Sequence, residues 1–199
     1  MKMHSKFLIA ILASFLTVGC SNDDDSNDNP ADSCQSTIPF MQTGKSFTYK
    51  TTQFGFDSGS IKFSIGECNG LGFLVSREVR DPSNVLVASS SGTDLWKQEG
   101  EYILTDSNNN GDYFAKIYKK NATLNDTWQY NRPSDGAVIN YTVVDLDSLI
   151  TVPVGQFHCK VFKYTNSSTI NDSYIFWDDQ IGQIKEDAGF FQIELKAYN

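Results

Sequence analysis

Few side chains in this 199-residue chain combine the right type with the right spacing for chemistry. A Ser-His-Asp or Cys-His nucleophile needs an imidazole base, and beyond His4 only His158 offers one. His158 sits in Phe157-His158-Cys159-Lys160-Val161, where strand alternation sends it to the face opposite Cys159. No G-x-S-x-G elbow occurs. Asp178-Asp179 supplies two carboxylates, but glycoside hydrolysis needs a pair about 5–10 Å apart across a cleft. Neighbours on a strand point apart. Asp106-Ser107-Asn108-Asn109-Asn110-Gly111 matches the opening of a calcium loop, with oxygens on alternate residues. Its twelfth position is Ile117 where a chelating Glu is required, and its flanks read as strands, so a hairpin turn is expected. No CxxC or Cys/His cluster suggests zinc. The expectation is therefore no enzyme, no metal site and no cofactor.

Trp96, Trp128 and Trp177 are the remaining candidates. Indoles on a rigid sheet stack on sugars or line an apolar cavity, and they also fill β cores. They are taken as the candidate ligand-binding residues.

The cysteines say where the chain goes. Lys2, His4 and Lys6 precede an apolar run from Phe7 to Val18, which ends at Gly19-Cys20 before an abrupt SNDDDSNDN. A basic start, a short apolar core and small residues at the cut make a signal peptide. About 12 apolar residues are too few to span a bilayer, which takes about 20. Leu16-Thr17-Val18-Gly19-Cys20 resembles a bacterial lipobox, with Thr17 where Leu is commonest. The resemblance implies that residues 1–19 are removed and that Cys20 is acylated. Each buried CH₂ contributes about 0.8 kcal/mol, so two acyl chains suffice for stable anchoring. Residues 20–33 carry five aspartates and nothing apolar larger than Ala31. Such a segment has too little apolar surface to fold, and as a flexible tether it spans roughly 20 Å. Acidic residues just after the acylated Cys resemble the export signal of Bacteroidetes-type surface lipoproteins. That implies an outer-membrane, cell-surface location.

The chain carries a net charge of −8. Residues 34–199 retain 14 basic and 19 acidic side chains, a balance that argues against nucleic acid. Three thiols remain there: Cys34, Cys68 and Cys159. They allow three single pairings, of which Cys34–Cys68 is favoured. Cys34 begins the domain, where an end gains from being stapled, and Cys68 lies in the turn-like Gly66-Glu67-Cys68-Asn69-Gly70. Cys159 shares a strand face with Phe157 and Val161, the setting of a small buried hydrophobe.

Short runs rich in Phe, Tyr, Val, Ile and Thr alternate with Gly, Asn, Asp and Ser clusters, and no apolar helical stripe persists. Strands are expected near 46–53, 60–66, 71–80, 84–90, 93–98, 101–105, 112–119, 126–131, 137–146, 156–165, 172–178, 181–186 and 190–198. The fold class is all-β, a single domain over 34–199. It is read as an antiparallel meander forming a curled half-barrel or a sandwich, with little or no helix. Similar openings at Ser46-Phe47-Thr48-Tyr49 and Thr127-Trp128-Gln129-Tyr130 hint at two parts. VPVGQFHCKVFKY, YIFWDDQIGQIKED and FQIELKAYN resemble the end of uncharacterised secreted β-domains that are similar to half-barrel lipoprotein carriers. That resemblance implies a fold and no activity. The functional expectation is a non-enzymatic lipoprotein whose domain binds an apolar molecule or a glycan. The alternative is an interaction subunit that meets a protein partner in a surface complex and takes no small ligand.

Cys20→Ala removes the sulfur that would be acylated. The variant is expected as an uncleaved precursor or in the soluble fraction on fractionation and mass spectrometry. Normal processing with membrane recovery contradicts the lipobox reading.

Overall fold

The computed structural model describes residues 34–107, 110–167 and 172–199. Cys20, the leader and the tether lie outside these residues, as does the middle of the calcium-loop-like turn. Period-two patterning builds the fold. In β1 (Ser46–Gln53) Phe47, Tyr49 and Thr51 are buried. The same alternation buries Ser173, Ile175 and Trp177 in β10 (Ser173–Asp178). Between these lie β2 (Phe56–Cys68), β3 (Phe73–Arg80), β4 (Leu86–Glu99), β5 (Tyr102–Asp106) and β6 (Ala115–Lys119). The second half opens with β7 (Thr127–Asn131), β8 (Val138–Val152) and β9 (Gly155–Asn166), and after β10 ends with β11 (Gly182–Asp187) and β12 (Phe191–Tyr198). No α-helix occurs among the described residues.

All twelve strands form one antiparallel sheet in the order β6-β5-β4-β3-β2-β1-β12-β11-β10-β9-β8-β7. The two halves of the chain are each a meander, joined where β1 pairs with β12 over Phe47–Gln53. The sheet curls until its edges, β6 and β7, face each other. There the Trp128 indole N–H donates to the Lys116 carbonyl at 3.0 Å and Lys119 pairs with Asp126 at 2.7 Å. The result is a nearly closed barrel, so the half-barrel of the sequence reading is carried further round and the two-sheet sandwich is not formed.

Several expected boundaries change: β2 begins at Phe56 where 60 was expected and β6 at Ala115 where 112 was expected, and two differences are larger. The strands expected at 84–90 and 93–98 are one strand, β4, with Gly92 at φ 60° absorbing an irregularity inside it. The expected strand 137–146 continues to Val152, because Asp145-Leu146-Asp147-Ser148 is a bulged stretch within β8. Its turn-like composition is local: Asp145 accepts from the Asp147 N–H and the Ser148 hydroxyl, while the strand passes on. Strand β8 also touches β11 and β12. Pro153, at the tip of the β8–β9 hairpin, shares a groove with Lys50, Ser60 and Lys196. Cys159 is completely buried, and burial pushes its thiol up to about 12.

One end of the barrel is closed by the segment before β1. Ile38, Phe40 and Met41 are buried, and the Phe40 ring lies 5.7 Å from both Tyr118 and Trp177. Gly182 (φ 104°) leaves room for that ring, since a Cβ there would come within 3.0 Å of it. The segment is tied to β2 by Gly44 N–H to the Ile65 carbonyl and by the Cys34–Cys68 disulfide, the favoured pairing.

The disulfide spans a sequence separation of 34 residues, and such a loop contributes roughly 3–4 kcal/mol in the chain-entropy account. Reduction is expected to lower the unfolding free energy by up to that amount in denaturant titrations. An unchanged midpoint would show that the plug needs no staple.

Candidate functional site

The opposite end is open, because β6 and β7 diverge away from the Trp128–Lys116 contact. The gap is a cleft of about 730 Å³ between the β5–β6 connection and the β7–β8 turn. The Tyr113 hydroxyl bridges it to the Asn131 carbonyl. Ile117, Tyr130 and Arg132 border this cleft and also a second cavity of about 340 Å³ inside the barrel. The two spaces therefore meet at shared residues.

The inner cavity has an aromatic wall made by adjacent strands. Tyr130 on β7, Tyr141 on β8 and Tyr164 on β9 stand in a row, with ring centroids 6.3 and 5.7 Å apart. Trp128 extends the row, stacked on Tyr141 at 5.1 Å with an interplanar angle of 8°. Directly opposed positions on antiparallel strands bring such rings together, here Trp128 with Tyr141 and Tyr141 with Tyr164. Ile117, Ile139 and Ile175 add apolar surface.

The polar side comes from β11. The register shifts where Phe176-Trp177 meets β11, which puts Gln183 opposite Trp177. Gln183 and Glu186, three residues apart, then line the same cavity. The Glu186 carboxylate accepts from the Tyr164 hydroxyl at 2.8 Å and the Gln183 amide at 3.2 Å. Burial raises its pKa above the ordinary Glu value, and those two hydrogen bonds pull partly the other way. Burial first, then the charge of Glu186, pushes Tyr49 and Tyr164 well above the usual phenol range. Tyr141 shifts the same way through burial and Tyr130. Arg132 at the rim is held by Asp135 through two bonds of 2.8 and 2.6 Å. Trp177 borders the cavity, and its buried indole N–H has no hydrogen-bond partner among the described residues. Such a donor is costly to leave unpaired.

The candidates from sequence are dispersed. Trp177 borders the inner cavity, Trp128 is locked into the seam, and Trp96 is half-buried against Phe63. Cys20 is outside the described residues. His158 pairs with Asp147 at 2.7 Å on an exposed surface. Asp178 holds the β10–β11 turn by accepting from the Gln180 and Ile181 N–H groups. Asp179 holds Tyr118 and Lys160. The residues that line the cavity, Tyr130, Tyr141, Tyr164, Gln183 and Glu186, carry no motif. Only their placement on inward positions of neighbouring strands reveals them.

No known protein family matches the chain, and no curated protein does either. Among solved structures, a protein of Bacteroides fragilis described as exported, with a YmcC-like fold, aligns at a TM-score of 0.54. The alignment covers 81% of this chain and 99% of that one, at 12% identity. At this identity the likeness is one of fold.

Folded Glu186 holds its proton more tightly than an exposed Glu, so its ionisation opposes folding above its raised pKa. That penalty fades as pH falls through the raised pKa to the ordinary Glu value. Glu186→Gln is therefore expected to gain stability over the parent at neutral pH, with the gap closing toward pH 4 in thermal melts. A gap independent of pH would contradict a carboxyl held partly out of water at this site.

Proposed function

We propose that this chain is a non-enzymatic, lipid-anchored exported domain that binds a small ligand in the cavity at the open end of its barrel. The observation that carries this is the cavity itself. A site of about 340 Å³ with mostly aromatic and aliphatic walls and a few converging polar groups is the form small-molecule sites take. It falls within the usual size range and is reached through a cleft. The anchor fits this geometry. Cys34, bonded to Cys68, lies at the plugged end, so in this reading a tether from Cys20 joins the domain away from the open cleft. The likeness to an exported protein supports the same address.

A second reading, an interaction subunit, is favoured by one observation. Phe54 (70% exposed), Phe56 (77%) and Phe190 (51%) gather on the β1–β2 and β11–β12 turns at the open end. Phe54 and Phe190 are stacked at 5.7 Å. Exposed aromatic groups of this kind mark contact surfaces.

Ile117 borders both spaces. Ile117→Trp is expected to fill the passage while leaving the barrel folded. In a thermal-shift screen of small molecules, compounds that stabilise the parent should fail to stabilise the variant. If no compound separates the two proteins and crosslinking instead captures a surface protein through Phe54 or Phe56, the interaction reading replaces this one.

A further inference from the structure

The Glu186 side chain is half-buried in the cavity wall, and only neutral groups reach it. Its two oxygens accept from the Tyr164 hydroxyl and the Gln183 amide, and no ion pair involves it among the described residues. The one basic residue bordering its cavity, Arg132, is committed to Asp135. Lys185, next in sequence, is committed to Glu194 at 2.9 Å. Carboxylates drawn out of water are paired as a rule, because an unpaired one loses hydration with no compensating charge. Here the protein supplies the acceptor, a row of phenol oxygens beside it and no cation.

We infer that the ligand of this cavity carries a protonated amine, whose ammonium group docks on the Glu186 carboxylate beside the Tyr164 hydroxyl. This rests on the ligand-binding reading above and names its chemical class. The ammonium supplies the missing charge, and its N–H groups meet the carboxylate and the phenol oxygens of Tyr130 and Tyr141. The hydrocarbon part of such a ligand lies against Ile117, Ile139 and Ile175. A fatty acid would set its own carboxylate against Glu186, and a neutral polyol would leave the charge unpaired. The groups facing Glu186 are Tyr164 from β9, Gln183 from β11, Ile175 from β10 and Ile193 from β12. The charge of Glu186 also reaches Tyr49 and Tyr141. The phenols stay neutral and Arg132 stays charged across pH 4–8, so Glu186 alone titrates there.

The test is calorimetric titration of the purified mature protein at pH 7 with octylammonium, octan-1-ol, octanoate and glucose. Octylammonium is expected to bind at least tenfold more tightly than octan-1-ol, with octanoate and glucose weaker still. Glu186→Gln should bring the amine down to the level of the alcohol. Lowering the pH toward 4 should do the same in the parent protein, which keeps the test independent of how the variant folds. Tyr164→Phe leaves the carboxylate in place and should preserve the amine preference. Equal binding of amine and alcohol, or a preference that survives both Glu186→Gln and low pH, overturns the ammonium assignment while the cavity reading stands. Silence of all four probes overturns both.

Discussion

The pairing of β1 with β12 is the contact on which the rest of the molecule depends. Every other neighbouring pair of strands is consecutive in sequence. β1 and β12 are paired across almost the whole length of the domain, from Phe47–Tyr198 to Gln53–Phe191. Without that ladder the chain would be two separate six-stranded meanders with exposed edges, and such edges invite aggregation. With it, the curl of one continuous sheet brings the remaining edges, β6 and β7, together. The barrel is thus closed by its terminal strands and split in the middle of the chain.

That placement of the split explains where the cavity is. At one end of the seam Trp128, Lys119 and Asp126 hold the edges together, and the plug of Ile38, Phe40 and Met41 fills the lumen against Tyr118 and Trp177. At the other end the Tyr113 hydroxyl reaches the Asn131 carbonyl across the gap, and the Tyr113 ring lies 6.3 Å from that of Tyr130. The two ends therefore differ in kind. One is an aromatic core stapled by a disulfide, and the other is a cleft bordered by polar and aromatic side chains.

Much of the fold was legible because period-two patterning and turn clusters survive in single strands. The expected runs at 46–53, 126–131, 156–165 and 190–198 lie within a residue or two of β1, β7, β9 and β12. The similar openings at Ser46 and Thr127 do mark the two halves, since β1 and β7 begin them. The two larger differences share one cause: at Gly92 and at Asp145–Ser148 the strand carries an irregularity and then continues. The cavity was far less legible. Tyr130, Tyr141 and Tyr164 are separated by 11 and 23 positions and meet only through register. Glu186 lies in Gln183-Ile184-Lys185-Glu186, where alternation alone puts Gln183 and Glu186 on opposite faces, and only the bulge opposite Trp177 reunites them. Trp96, Trp128 and Trp177 were visible by residue type, but type does not tell a wall from a core.

The wall itself is a compromise between rigidity and cost. Stacked Trp128, Tyr141, Tyr130 and Tyr164 bury large rings at a modest entropic cost, and each aromatic pair adds about 0.5–1.5 kcal/mol beyond its area. That surplus holds the phenol hydroxyls in fixed positions. Against it stand the half-buried carboxyl of Glu186 and the indole N–H of Trp177, which has no partner among the described residues. An aliphatic residue at 186, like its cross-strand neighbours Ile175 and Ile193, would remove the first cost without disturbing the ladder. A barrel selected for stability alone would fill this end as it fills the other, with side chains like Phe40 and Met41. Polar groups held this firmly, at a net cost to folding, are what the proposed ligand-binding role would account for.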